Sequence, residues 1–162
     1  MNLLTVLVML ISLAMTPNEK LDLLVNTLFE QYQINFSKDQ YAIYKDNHNI
    51  KWKGNVEGWG VYSYNEFSIY FPEIVGYYDD IFIDRISKSV YPVKIVFKNS
   101  IPTLDDLQFL QKCFGKCEGI KQTNIDDDFY NNDIYTYTTD KYLIKFILHY
   151  GMVENIAVEQ KK

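Results

Sequence analysis

Two cysteines, two histidines and two knots of aspartates are the groups in this 162-residue chain best equipped for chemistry. The cysteines fall close together in "KCFGKC", as Cys113 and Cys117. A structural zinc site takes four Cys or His ligands, and His48 and His149 stand far from this stretch and from each other in sequence. A thioredoxin-type redox pair is spaced C-x-x-C, one residue shorter than the spacing here. Two readings of the pair stay open. In an oxidising compartment a Cys113–Cys117 disulfide is expected across Gly115, since one helical turn brings two Cα atoms within the roughly 4.4–6.8 Å such a bond needs. In a reducing compartment the same thiols serve packing.

The carboxylates gather in "YYDDIFIDR", with Asp79 and Asp80 beside Tyr77 and Tyr78, and in "IDDDFYNND", with Asp126, Asp127, Asp128 and Tyr130. Neither follows the ligand spacing of an EF-hand, which also requires a central Gly and a terminal Glu. A catalytic carboxylate pair must face itself across a cleft, and nothing in the spacing predicts that. What remains is a solvated acidic loop, or a negatively charged docking surface for a basic partner. His149 alternates with Leu143, Lys145 and Ile147 along a strand pattern, which predicts a place on the outer face of a sheet. No G-x-S-x-G is present, and neither thiol sits in a protease-like context. The residues therefore predict no catalytic group, no metal and no cofactor.

Aromatic side chains are the other resource: ten Phe, fourteen Tyr and two Trp. Most must pack a core. Two helices and one sheet cannot hide them all, and exposed Tyr and Trp are favoured anchors of protein interfaces. Trp59 and Tyr62, with the two Tyr-Asp clusters, are the residues we expect to meet a protein partner. The formal net charge of −5 argues against nucleic acid, whose phosphates demand a basic footprint.

These groups need elements to hold them. Residues 1–14, "MNLLTVLVMLISLA", carry no charge and are too short for a bilayer span of about 20 residues. They read as a signal peptide, with Ser12 and Ala14 small enough for a cleavage site, and place the chain in the periplasm or outside the cell. If they belong to the fold instead, the protein is cytoplasmic. Residues 15–162 then form a single domain. "TPNE" sets Thr16 as N-cap, Pro17 as first helical residue and Glu19 as the reciprocal partner of a capping box. Leu21, Leu24, Val25, Leu28 and Tyr32 continue a helical stripe. Short strands follow between Gln40 and Phe71, with Asn65-Glu66 as a tight hairpin loop.

A second helix is expected in "IPTLDDLQFLQKCFG", capped by Thr103, buried through Leu104, Leu107, Leu110 and Phe114, and ended by Gly115. "KQTNIDDDFYNND" reads as a polar loop. Three closing strands are expected in "IYTYT", "KYLIKFILHY" and "MVENIAVEQ", with Gly151 turning the chain between the last two. The predicted class is α+β, two helices packed on one face of a mostly antiparallel sheet.

The C-terminal half resembles the β-lactamase-inhibitor-like and outer-membrane-assembly small-protein modules of the bacterial envelope. The residues carrying the likeness are Phe114-Gly115, Tyr135 and Tyr137, then Phe146 through Gly151, Val153 and Ile156. An acidic insertion from Asp126 to Asp133 departs from that outline. The small, acidic, aromatic-rich profile is also similar in type to bacterial immunity proteins. That similarity implies a non-enzymatic, exported protein that neutralises a toxin by covering its active site. The envelope likeness implies, alternatively, a structural or assembly module. A small-ligand binder or enzyme built on the curved sheet is the third expectation.

Overall fold

The computed structural model describes residues 14–37, 51–56, 59–72, 91–101, 104, 107–124 and 131–161. They divide into two compact units, one made of the N-terminal helix with the chain from Phe97 onward, the other of Ile34–Val96.

The first unit begins with helix α1 (Pro17–Tyr32). Its start follows the expected capping box: the Glu19 backbone N–H donates to Thr16 Oγ1 at 3.3 Å, and the Thr16 backbone N–H donates to the Glu19 carboxylate at 2.7 Å. Two otherwise orphaned donors are satisfied at once. These bonds to Thr16 hold the Glu19 carboxyl below its usual range. The helix ends at Gln33, whose left-handed φ of 54° returns its N–H to the last carbonyls. Leu21, Leu24, Val25 and Leu28 are buried as the stripe predicts.

Helix α2 (Leu107–Phe114) ends as expected at Gly115. There a φ of 80° lets the glycine N–H donate to the Gln111 carbonyl at 2.9 Å. The expected cap at Thr103 lies outside the described residues. Leu104 is fully buried just ahead of the helix, and Leu110, Cys113 and Phe114 form its inner face. Leu107 is only half-buried.

Against the helices lies an antiparallel sheet of β5 (Gly119–Asn124), β6 (Asn131–Thr138), β7 (Tyr142–His149) and β8 (Met152–Gln160). Each strand pairs with the next in sequence. The alternation on β7 is the one the sequence announces: Ile144, Phe146 and Leu148 are buried, while Leu143, Lys145, Ile147 and His149 are half-exposed on the other face. Both helices cover the first face. Phe114 of α2 stacks on Phe146 at 5.6 Å between centroids and meets Tyr137 edge-on at 5.9 Å. Phe29 of α1 meets Tyr142 edge-on at 5.9 Å and Phe97 at 6.1 Å. This is the expected α+β class, with its two helices on one face. On the opposite face Lys145 pairs with Glu159 at 2.6 Å.

One element corrects the sequence reading. "KQTN" is not loop but the second half of β5, and Asn131–Asp133 open β6; Gln122 pairs with Asp133 and Thr123 with Asn132. No apolar alternation marks these residues, because backbone pairing alone suffices to make such a strand.

The second unit holds β1 (Lys51–Val56), β2 (Trp59–Ser63) and β3 (Phe67–Pro72), a meander of antiparallel pairs. Asn65 and Glu66 form the expected two-residue loop, closed by the Tyr64 N–H donating to Phe67 at 2.8 Å. Val61, Phe67, Ile69 and Phe71 are buried. Val93 donates to Tyr70 at 2.9 Å, and the Lys94 ammonium lies 4.1 Å over the Tyr70 ring. Strand β4 (Lys94–Lys98) carries the chain from the second unit back into the first.

The phenol of Tyr137 donates to the Gly115 carbonyl at 3.2 Å, so one side chain both packs the sheet and ties down the end of α2. Burial pushes that phenol up to about 12, with the neighbouring Cys117 thiol, Tyr135 and Cys113 adding to the effect. The folded protein keeps this proton at a pH where the unfolded chain, titrating near 10, releases it. The stability so contributed is complete below pH 10 and is lost as pH rises toward 12. Tyr137→Phe should cost about 1 kcal/mol at neutral pH through the lost hydrogen bond. In melts across alkaline pH it should also show a shallower fall in Tm than the parent. Part of the fall remains, because burial also raises Tyr64, Tyr135 and Tyr142.

Candidate functional site

Strands β7 and β8 are joined by Tyr150 and Gly151, and the backbone there is the feature of the first unit that packing does not explain. Both residues have left-handed φ, 50° and 78°, the pattern of a type I′ hairpin turn. Such a turn matches the twist of the strands, and its first central position ordinarily takes Asn, Asp or Gly. A tyrosine there is disfavoured, because its Cβ crowds the carbonyl, at a cost on the order of 1 kcal/mol. The side chain does not recover that cost by burial, since it is 71% exposed. Its ring stands edge-on to His149, with centroids 4.3 Å apart. Met152, which pairs with His149 across the ladder, is 61% exposed.

Beside this tip lies an open hollow of about 470 Å³, lined by Lys98, Asn99, His149, Met152, Val153, Glu154 and Asn155. Two local devices shape it. First, the β7–β8 register shifts by one residue, Ile147 facing Asn155 while Leu148 faces Val153, so Glu154 is the extra residue of a bulge. Second, Asn99 pins that bulge. Its N–H donates to the Glu154 carbonyl at 2.8 Å, its Nδ2 donates to the Val153 carbonyl at 2.9 Å, and its Oδ1 accepts from the Ile101 N–H at 2.9 Å. Val153, paired with inward-facing Leu148, turns its side chain to the buried face, and His149 is half-buried.

His149 thus lies on the outer sheet face, as its alternation predicts. Strand alternation sets it on the opposite face from Phe146, the residue on which Phe114 stacks, so it does not share the helix-covered face with buried Cys113. The expected Cys113–Cys117 disulfide is not formed in the structure: both thiols are free, Cys113 buried on α2 and Cys117 half-buried past the Gly115 turn. The left-handed glycine carries the chain away from the helix between the two residues. Burial pushes the Cys113 thiol up, while Lys20 and Lys112 pull more weakly the other way.

Of the expected partner-binding residues, Tyr62 is buried and packs edge-on against Phe71 at 6.1 Å. Trp59 opens β2 opposite Val56 and Pro72 in the backbone ladder. Tyr77, Tyr78, Asp79, Asp80, Asp126, Asp127, Asp128 and Tyr130 lie outside the described residues, as does His48. Among the described residues no group of three or more His, Cys, Asp or Glu could hold a metal ion. No helix among them is long and apolar enough to cross a membrane.

Sequence reasoning passed over Tyr150, Met152, Lys98, Glu154 and Asn155. One signal was available for the first of them: "HYGM" places an aromatic where a two-residue turn before Gly favours Asn or Asp.

No family model matches the chain, and no curated protein matches it. Among solved structures it is similar to a DUF4309 family protein (YjgB) from Bacillus subtilis subsp. subtilis str. 168. The TM-score is 0.49, with 14% identity, over 78% of this chain and 79% of that one. No residue role passes from that protein to this one.

Tyr150→Asn removes backbone strain on the order of 1 kcal/mol and forfeits an exposed ring contact near the low end of the roughly 0.5–1.5 kcal/mol range. We expect Tm to hold or rise slightly, whereas a residue kept for stability would show a drop of several degrees. For the cysteines, thiol titration of unfolded protein should find two free groups. In native protein Cys117 should react well before buried Cys113. Fewer than two thiols in material from the native compartment would mean the bond forms there.

Proposed function

We propose that this chain is a non-enzymatic protein-binding module, in concrete form an exported bacterial immunity protein that neutralises a toxin by covering its active site. The observation that carries the binding reading is Tyr150: a large amphipathic ring held out at a strained turn, with Met152 exposed beside it. Tyr and Met are enriched in interface cores, where a rigid ring loses little conformational entropy on docking. A fold that keeps an energetically disfavoured residue in full view of solvent has traded stability for recognition.

The overall charge supports the choice of partner. A net charge of −5 attracts a basic surface, raises the encounter rate and discourages acidic competitors. An exposed aromatic hairpin tip on an acidic protein suits a basic cleft. Export, read from residues 1–14, would put the protein in the compartment such a toxin attacks from outside.

The test is a defined pair. Co-expressed with the product of the gene immediately upstream, the protein should elute as a tight stoichiometric complex, and the partner's activity should fall in proportion to complex formed. Tyr150→Asn combined with Met152→Ser should weaken that complex at least about thirtyfold, the loss of one interface hot spot. A neighbouring product that ignores the protein would sink the immunity reading. Unchanged affinity in the double variant would remove the hairpin tip from the interface.

A further inference from the structure

The polar side chains around the hollow divide into those the fold uses and those it leaves available. Asn99 is fully used: all three of its hydrogen bonds hold backbone in place. Lys98, Glu154 and Asn155 make no side-chain hydrogen bond or ion pair with the described residues. Lys98 and Glu154 carry opposite charges on adjoining backbone, since residue 99 bonds directly to residue 154. Yet they do not neutralise each other, whereas Lys145 and Glu159 on the same sheet close to 2.6 Å. The hollow is therefore lined by a cation and an anion that do not pair, one uncommitted amide between strands, and the exposed apolar side chain of Met152.

A ligand complementary to that set carries its own opposite charges. It needs a carboxylate for Lys98, an ammonium for Glu154, a peptide-like group for Asn155 and an aliphatic part for Met152. A singly charged ligand satisfies one wall and leaves the like charge on the other facing it. The hollow, about 470 Å³, falls within the roughly 300–1,000 Å³ typical of small-ligand sites. We propose that it binds a small zwitterion, a short peptide with both termini free or an α-amino acid, with Lys98 and Glu154 reading its two ends. The site adjoins the hairpin tip but does not rest on the protein-partner reading, because neither Tyr150 nor a toxin enters the argument.

The probes are the dipeptide Ala-Leu, its N-acetyl form, its C-terminal amide and the doubly capped peptide, titrated into the full chain by calorimetry and amide NMR. Free Ala-Leu should bind and shift the signals of His149 and Asn155. Each cap should weaken binding about tenfold, the worth of one charge-assisted hydrogen bond. In Lys98→Gln the amidation penalty should vanish while the acetylation penalty stays, and Glu154→Gln should show the reverse. Both substitutions fall on exposed side chains with no partner among the described residues, so the fold is retained, and unchanged Tm confirms it. Silence with free Ala-Leu at tens of millimolar, equal binding of the doubly capped peptide, or penalties untouched by the variants would each overturn the proposal. None of these outcomes alters the affinity test for the protein partner, which turns on Tyr150 and Met152.

Discussion

The closing of α2 onto the sheet through Phe114 is the contact on which the first unit depends. Its ring is stacked on Phe146 and capped edge-on by Tyr137, which itself meets Phe146 edge-on at 5.6 Å. Three aromatic rings thus fix one helix against the two central strands, and each fully buried ring is worth roughly 1.5–3 kcal/mol in area removed from water. The Tyr137 hydroxyl then reaches the Gly115 carbonyl, so the turn leaving the helix is held by the residue the helix packs on. Glycine is needed at 115 for its φ of 80° and not for space, since a Cβ there would make an ordinary 3.9 Å contact with Pro17, the first residue of α1. Phe29 and Tyr142 repeat the motif for α1. On the other face of β7 and β8 the side chains of Leu143, Lys145, Ile147 and His149 are half-exposed.

That division of labour accounts for the position of the candidate site. Strand β7 sends Phe146 and Leu148 inward and therefore must send Ile147 and His149 outward. The Glu154 bulge re-aims the start of β8 just where β7 ends, and Asn99 fixes the bulge from the returning strand. A rigid, well-packed pair of strands can carry a strained turn at its tip, because the packing behind it over-determines the backbone. The cysteines, by contrast, belong to the interior economy of α2. Cys113 is a packing group whose thiol is held protonated by burial, and Cys117 lies beyond the turn.

Much of the fold is legible in sequence because its signals are local. The capping box at Thr16 and Glu19 needs residues three apart, the Asn65-Glu66 loop needs two neighbours, and the Gly115 and Gly151 conformations need one residue each. The alternation from Tyr142 to His149 states which face is inner and which is outer. Where the signal is not local the reading goes astray. Gln122 to Asn124 carry no apolar pattern and still form a strand, because β6 supplies hydrogen-bond partners that the composition of β5 does not advertise. Tyr62, chosen among aromatics as a partner contact, is buried against Phe71, a relation set by the β2–β3 pairing.

By itself, then, the chain determined its two helices, the turns that end them, the aromatic stripe that would be core, and a net acidic charge. Each of these follows from periodicity or from charge, which survive without a third dimension. The hollow is different. Lys98 and Asn99 come from the strand that returns the chain to the first unit, whereas His149 to Asn155 come from the last hairpin. Hydrogen bonding between these distant segments brings a lysine and a glutamate to the lining of one hollow. Tyr150 makes the same point within four residues: its type is plain in the sequence, but the left-handed backbone that makes it costly, and its exposure, are properties of the folded turn.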